Sequence, residues 1–201
     1  MQLVGVANSP YFRRAAISLE LLGIPFEVVP YSPFIDVQAL GELNPVMKVP
    51  TLVCDNGEQI MDSSLIIQYA ETALSNKQAL WPSDTAQLQT DFRVLSLALA
   101  ALEKCLQIVY ETRLRPETAR HQQWLDRIQL QCKAAFAGLE QAITDNTERY
   151  ISNDSQAGIT AAIAWNFGSQ VVAGEITAEI CPELAGLSAK MEEKPLFKKY
   201  A

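Results

Sequence analysis

A small α/β domain followed by an all-α domain is the fold class this sequence predicts, and three observations predict it. The first third alternates short apolar or β-branched runs with helix-start signals. A polar stretch around residues 76–78 ends that pattern. Beyond it, apolar residues recur every three or four positions over long segments, the period of helices that bury one face. The expected division is an α/β domain over 1–76, a linker over 77–85 and a helical domain over 86–201.

The elements follow in order. Residues 2–6 form an apolar run that reads as a buried strand. Asn8 and Ser9 suit an N-cap and Pro10 suits the first helical position, so a helix is expected over 11–22, stopped by Gly23. Residues 26–29 read as a second strand and 36–43 as a short helix. Strands are expected at 51–53 and 59–61 around Asn56-Gly57, a strong hairpin signal. Asp62-Ser63-Ser64 caps a helix over 65–74. Crossovers and a hairpin together imply a small mixed sheet covered by helices.

Trp81 is read as an anchor of the linker. Leu88, Phe92, Leu95, Leu99, Leu102, Leu106 and Val109 mark one face of a long helix over 86–113. Pro116 is placed at the start of the next helix, whose face is Trp124, Ile128, Cys132, Ala135, Leu139 and Ile143. The polar run 152–155 caps an apolar helix over 159–173. A last helix is expected over 182–193, ended by Pro195.

The composition is 49% hydrophobic and 19% charged over 201 residues, which is globular and long enough for a sizeable core. The formal net charge is −7, which argues against nucleic acid as the main partner. It leaves a small anionic ligand open, since that answers to the local field. The 4 cysteines form no C-x-x-C pair and suggest no zinc site, which fits free thiols in a reducing cytoplasm. No apolar run reaches the ~20 residues of a membrane span, and the N-terminal run is too short for a signal peptide.

The stretch that organises the chain is Asn44-Pro45-Val46-Met47-Lys48-Val49-Pro50-Thr51. Proline belongs at a strand entry or edge, so Pro50 reads as the entry to the strand at 51–53. A cis Val49–Pro50 bond would turn the Val49 N–H and C=O away from the ladder and toward a ligand; an ordinary trans proline at the entry to a strand is the alternative, and the local sequence favours it. Ser9 lies at a helix N-terminus, where an anion is favoured, and its hydroxyl can donate to one or act only as a cap. Asp62 and Ser63 open a helix and can hold an amino-acid head group, Asp62 on the ammonium and Ser63 with helix N–H groups on the carboxylate, or again only cap it. Lys48 can pair with a second carboxylate or face solvent. His121 is read as solvent-exposed, and the cysteines as small buried hydrophobes or loop residues.

Taken jointly, Ser9-Pro10-Tyr11, Asn44-Pro45 through Lys48-Val49-Pro50, and Asp62-Ser63, ahead of a helical second half, resemble a cytosolic glutathione S-transferase of the bacterial, serine-type, theta-like branch. The resemblance spans essentially the whole chain. It implies a thioredoxin-like N-terminal domain, a C-terminal all-helical bundle, a homodimer in the cytoplasm, and glutathione as co-substrate with no other cofactor and no metal. It implies that Val49 pairs its backbone with the cysteinyl part beside a cis Pro50. Asp62 and Ser63 then hold the γ-glutamyl head, Lys48 helps at the glycine end, and Ser9 hydrogen-bonds the sulfur. A small, mostly apolar electrophile is expected between the domains, with Tyr11, Tyr110 and Arg113 as pocket candidates. Rivals are a non-catalytic relative, or another glutathione-using enzyme such as an isomerase, peroxidase or dehalogenase.

Three departures from the family pattern stand out. Asp62-Ser63 replaces the usual Glu-Ser pair. Ser155-Gln156-Ala157-Gly158 has Gly158 where a capping box carries an acid, a loss worth on the order of 1 kcal/mol unless Asn153 or Asp154 compensates. Ser9-Pro10-Tyr11-Phe12 stands where related oxidoreductases carry C-x-x-C, so disulfide exchange through an enzyme thiol is not expected.

Overall fold

The computed structural model describes residues 1–75 and 79–201. The chain forms two compact units, Met1–Leu80 with Pro195–Ala201, and Trp81–Lys194. The expected boundary at residue 76 lies outside the described residues. The helical domain expected over 86–201 is shorter at its end, because residues 195–201 pack with the first unit.

The first unit is built on a four-stranded mixed sheet in the order β2-β1-β3-β4. Its strands are β1 (Gln2–Val4), β2 (Glu27–Val29), β3 (Thr51–Val53) and β4 (Gln59–Ile60). Helix α1 (Pro10–Leu21) is the crossover that makes β1 and β2 parallel, whereas β3 runs antiparallel to β1 and hairpins into β4. Helix α2 (Val37–Leu43) precedes β3, and α3 (Ser63–Tyr69) follows β4 and continues as a π-helical turn, Ala70–Leu74. The core is Leu3, Val4 and Leu52 of the sheet beneath Phe12, Ala15, Ala16 and Leu19 of α1 and Ile66 and Ile67 of α3. Gly5, at φ +148°, lets the chain leave β1 against α1; a Cβ there would lie 2.6 Å from Phe12 Cδ2.

The segment 195–201 is a strap on α1. Pro195 was expected to end a helix. Helix α8 (Pro182–Glu192) does end ahead of it, but it is not the last helix: Pro195 opens a further short one, α9 (Pro195–Lys199), in the N1 position that tolerates a missing N–H. Phe197 is buried, and its carbonyl accepts from Arg13 Nη2 at 3.4 Å. The Tyr200 ring stands edge-on to Phe12, centroids 6.3 Å apart, and stacks over Phe26 at 6.4 Å. Glu20 takes both the Tyr200 hydroxyl at 2.8 Å and the Lys199 ammonium.

The second unit is helical. Its elements are α4 (Thr85–Val109) running into a π-helical turn Tyr110–Leu114, α5 (Gln122–Ile143), α6 (Thr147–Ser152), α7 (Gln156–Val171) and α8. Helix α7 is the buried element, with Ala157, Ile159 and residues 161–164 fully covered. Close packing requires small residues: a Cβ on Gly168 would meet Phe136 Cζ at 2.4 Å. The buried residues of α4 are Asp91, Val94, Leu95, Ala98, Ala101, Leu102, Cys105 and Ile108; of the face chosen from sequence, Leu95 and Leu102 are among them, while Leu88, Leu99, Leu106 and Val109 are half-buried. Phe92 is exposed and stacks on Trp81, centroids 4.8 Å apart.

The start of α5 differs from the expected one, and the cap of α7 shows what replaces the missing acid. Helix α5 begins at Gln122, not at Pro116; residues 117–119 form one 3-10 turn, and His121 is the cap. Its Nδ1 accepts from the Trp124 N–H at 3.2 Å, while its own N–H donates to Glu111 Oε1 at 2.9 Å. At α7, Ser155 Oγ accepts from the Gly158 N–H at 3.1 Å. The Ser155 N–H, left without a box acid, donates to the Asn153 carbonyl at 2.9 Å. Gly158 itself abuts Tyr150, whose carbonyl would lie 3.1 Å from an added Cβ. The lost capping bond is thus compensated by main chain, and the space for an acid is absent.

Candidate functional site

Register alone gathers the candidate residues of the first unit. Val4 pairs with Thr51 across β1 and β3, and Leu52 pairs with Ile60 across β3 and β4. Followed outward by one or two positions, these registers put the exit of β1, Val49-Pro50 and Met61-Asp62 at one end of the sheet. Ser9 comes to the same end as the N-cap of α1, five residues beyond Val4. Both cis peptide bonds, Val49–Pro50 and Met61–Asp62, lie there; the first was expected from sequence and the second was not.

Each side chain is held by identifiable partners. Ser9 is half-buried, and its Oγ accepts from the Phe12 N–H at 3.4 Å, a long capping bond. A hydroxyl that accepts from the helix keeps its own hydrogen to donate outward. Pro50 is buried, Val49 half-buried and Lys48 exposed. Among the described residues the Val49 main chain takes part in no hydrogen bond and Lys48 in no ion pair.

Asn44 fixes the turn that presents Val49, a role the sequence did not reveal beyond Asn-Pro turn chemistry. Its Nδ2 donates to Thr51 Oγ1 at 2.9 Å and to Met61 Sδ at 3.3 Å, and its Oδ1 accepts from the Val46 N–H at 3.0 Å. Thr51 Oγ1 in turn donates to the Lys48 carbonyl at 2.7 Å. One buried amide therefore ties the loop, β3 and the residue preceding Asp62 into one frame.

Asp62 is exposed and caps α3: its Oδ1 accepts from the N–H groups of Ser64 at 2.8 Å and Leu65 at 3.3 Å. That leaves Oδ2 with no hydrogen bond among the described residues and withdraws two helix N–H groups from any ligand. Ser63 is buried, and its Oγ accepts from Arg14 Nη1 at 3.0 Å, which also reaches Ser64 Oγ at 3.0 Å. Arg14 was not a candidate from sequence, because a charged residue on a helix defaults to solvent. Here it is 1% exposed. Burial pushes its guanidinium down to about 10, opposed first by the charge of Asp62, so it stays a cation at neutral pH.

The remaining candidates divide between the units. Tyr11 is half-buried on the first turn of α1. Tyr110 and Arg113 are exposed in the second unit, on the π-helical turn that ends α4. Of the four free cysteines, three are buried and Cys54 is half-buried. Among the described residues no group of three or more His, Cys, Asp or Glu side chains could hold a metal ion, and no helix is long and apolar enough to cross a membrane.

Residues 3–78 match the family model described as the glutathione S-transferase N-terminal domain. An uncharacterized GST-like protein of Escherichia coli K12, YibF, is 30% identical over 168 residues, which is 84% of this chain and 81% of that protein. A glutathione S-transferase of Methylobacterium radiotolerans, solved with glutathione sulfonate, superposes with a TM-score of 0.87 at 24% identity, over 99% of this chain and 93% of the other. A glutathione transferase family member of Pseudomonas fluorescens Pf-5, solved with glutathione, gives 0.84 at 24% identity, over 99% and 97%.

Proposed function

We propose, from the premise that this chain belongs to the glutathione S-transferase family, that it binds glutathione at the Ser9 end of its sheet and activates the thiol for attack on a small, mostly apolar electrophile. The observation that carries the reading is the convergence of Ser9, Val49, Asp62 and Ser63 at one sheet end, with donors and acceptors left over for a peptide. In this reading the Val49 N–H and C=O pair with the cysteinyl main chain. Asp62 Oδ2 takes the γ-glutamyl ammonium and the Ser63 hydroxyl its carboxylate. Lys48 meets the glycine carboxylate.

The chemistry at sulfur follows from Ser9. A thiol of pKa ~8.5 is only a few per cent thiolate at pH 7. Making thiolate the major form requires a shift of about two units, worth roughly 2.7 kcal/mol. A hydroxyl hydrogen and the positive end of α1 are together of the right size to supply it. The thiolate attacks the electrophilic carbon, the S–C bond forms, the leaving group departs with its electron pair, and the thiol proton passes to solvent. Tyr11, on the first turn of α1, is assigned to the electrophile. The protein acts as a cytoplasmic homodimer, to be checked by light scattering on the purified protein.

Ser9→Ala tests the core of the reading. It is expected to bind glutathione within a few-fold of wild type by calorimetry, to lose the thiolate absorbance near 240 nm, and to lose about a hundredfold in turnover of a general aromatic halide. Unchanged turnover removes Ser9 from the mechanism. Glutathione binding without turnover across an electrophile panel by the wild type would favour a binding role over catalysis.

A further inference from the structure

Helix α1 carries two polar features that point at different ends of the proposed ligand. Ser9 is its N-cap, and Arg14 lies five residues further on, about 7.5 Å along the axis at 1.5 Å per residue. Arg14 is fully buried, yet it is directed to the start of α3, where one nitrogen serves Ser63 Oγ and Ser64 Oγ, both at 3.0 Å. Its positive charge therefore sits behind the Asp62-Ser63 pair.

Two consequences follow from elementary chemistry. A serine oxygen that accepts from a cation cannot turn its hydrogen toward that cation, so the Ser63 hydrogen is aimed away from Arg14 and is polarised. A ligand carboxylate approaching Ser63 would also approach the Asp62 carboxylate; a guanidinium behind the pair offsets that repulsion. Burying a charge seldom adds net stability, since an apolar replacement of similar volume is often neutral. The arrangement is therefore explained better by what it does at the ligand than by what it does for the fold.

We propose that Arg14 is the positioning residue that selects an α-carboxylate at the γ-glutamyl end of the ligand, acting through the Ser63 hydroxyl. This rests on the reading that the site binds glutathione. It assigns Arg14 no part at the sulfur, so its loss weakens binding of the peptide head and leaves the chemical step alone.

The test pairs a change in the protein with a change in the ligand. Arg14→Met is compared with wild type against glutathione and against 4-aminobutanoyl-Cys-Gly, which lacks only the α-carboxylate. Wild type is expected to prefer glutathione by about tenfold or more, the size of one charge-assisted hydrogen bond. Arg14→Met is expected to lose about tenfold on glutathione, to change less than about twofold on the analogue, and to show the loss in KM rather than kcat. Arg14→Lys, which keeps charge and one donor, is expected to recover part of the preference. Equal losses on both peptides, or no loss on glutathione, overturn the proposal. If Arg14→Met does not give a native circular dichroism spectrum and a cooperative melt, Ser63→Ala decides instead: it must collapse the same preference, and a preference that survives overturns the proposal. Wild type that binds neither peptide brings down the glutathione reading itself, whereas wild type that discriminates beside an Arg14→Met that discriminates equally refutes only the role of Arg14.

Discussion

Asn44→Ala should loosen the turn that presents Val49 and destabilise the first unit with it. The side chain is 3% exposed and makes two ordinary hydrogen bonds, to Thr51 Oγ1 at 2.9 Å and from Val46 N at 3.0 Å, and a weaker one to Met61 Sδ at 3.3 Å. Each ordinary bond contributes about 1 kcal/mol net and the thioether contact less. The Val46 N–H lies at an exposed residue and regains water, so no large orphan penalty is added. Thr51 Oγ1 keeps its own bond to the Lys48 carbonyl. The sum is about 2–3 kcal/mol, or a urea midpoint lowered by about 1 M at the m-values of proteins this size. Hydrogen exchange should localise the change, with faster exchange over residues 44–53 and little over the helical unit. Gln38→Ala, which removes only the exposed Gln38–Glu42 pair, is the control and should stay within about 0.5 kcal/mol. A midpoint shift below about 0.2 M with unchanged exchange over 44–53 would refute the idea that Asn44 holds this frame.

Two further outcomes follow from the packing and the charges. Gly158→Asp, which would restore a capping-box acid at α7, is expected to lower the melting temperature rather than raise it, because its Cβ would press on the Tyr150 carbonyl and side chain, each at 3.1 Å; a rise of several degrees would show that the cap outweighs the crowding. Glu20 is held below the usual carboxylate range, first by its hydrogen bond with Lys199 and then by that with Tyr200, against an opposing effect of burial. A depressed folded-state value means that its contribution is present above the unfolded carboxylate value of ~4.3 and is lost as pH falls through the folded one. Wild type should therefore be more stable than Glu20→Gln at pH 7, by no more than about 1 kcal/mol and less in high salt, and the gap should close as pH drops below ~4. A gap that does not narrow at all as pH falls below the unfolded carboxylate value would mean that charge is not what Glu20 contributes.

Much of the fold was legible because its signals are local. Asn56-Gly57 marked the hairpin, Ser9-Pro10 the start of α1, and the three- and four-residue spacing the long helices. What escaped depends on partners far along the chain. Arg14 looks like a surface charge until α3 docks beside it, and Asn44 looks like a turn residue until β3 and Met61 arrive seven and seventeen residues later. Pro116 carried a valid helix-start signal, but Glu111 captures the His121 N–H and moves the start of α5 to Gln122. On α4 the large residues drew attention away from Ala98 and Ala101, which are interior because the neighbouring helices come close. At the candidate site the residue types were readable, whereas the division of labour within Asp62, one oxygen capping the helix and one left over, required the geometry.

The strap has a consequence for how the molecule is made. Phe197 and Tyr200 cover the aromatic side of the first unit, against Phe12 and Phe26, yet the chain leaves that unit at Leu80 and rejoins it only at Pro195. On a ribosome, the helix that bears Ser9 must wait with Phe12 uncovered while the whole second unit is translated. At ~5–20 residues per second that interval is on the order of ten seconds, long compared with the microseconds in which helices form. The unit that emerges before the helical one is therefore sealed after it, and the interval in which a chaperone or a neighbouring nascent chain can reach it is set by the length of the helical unit.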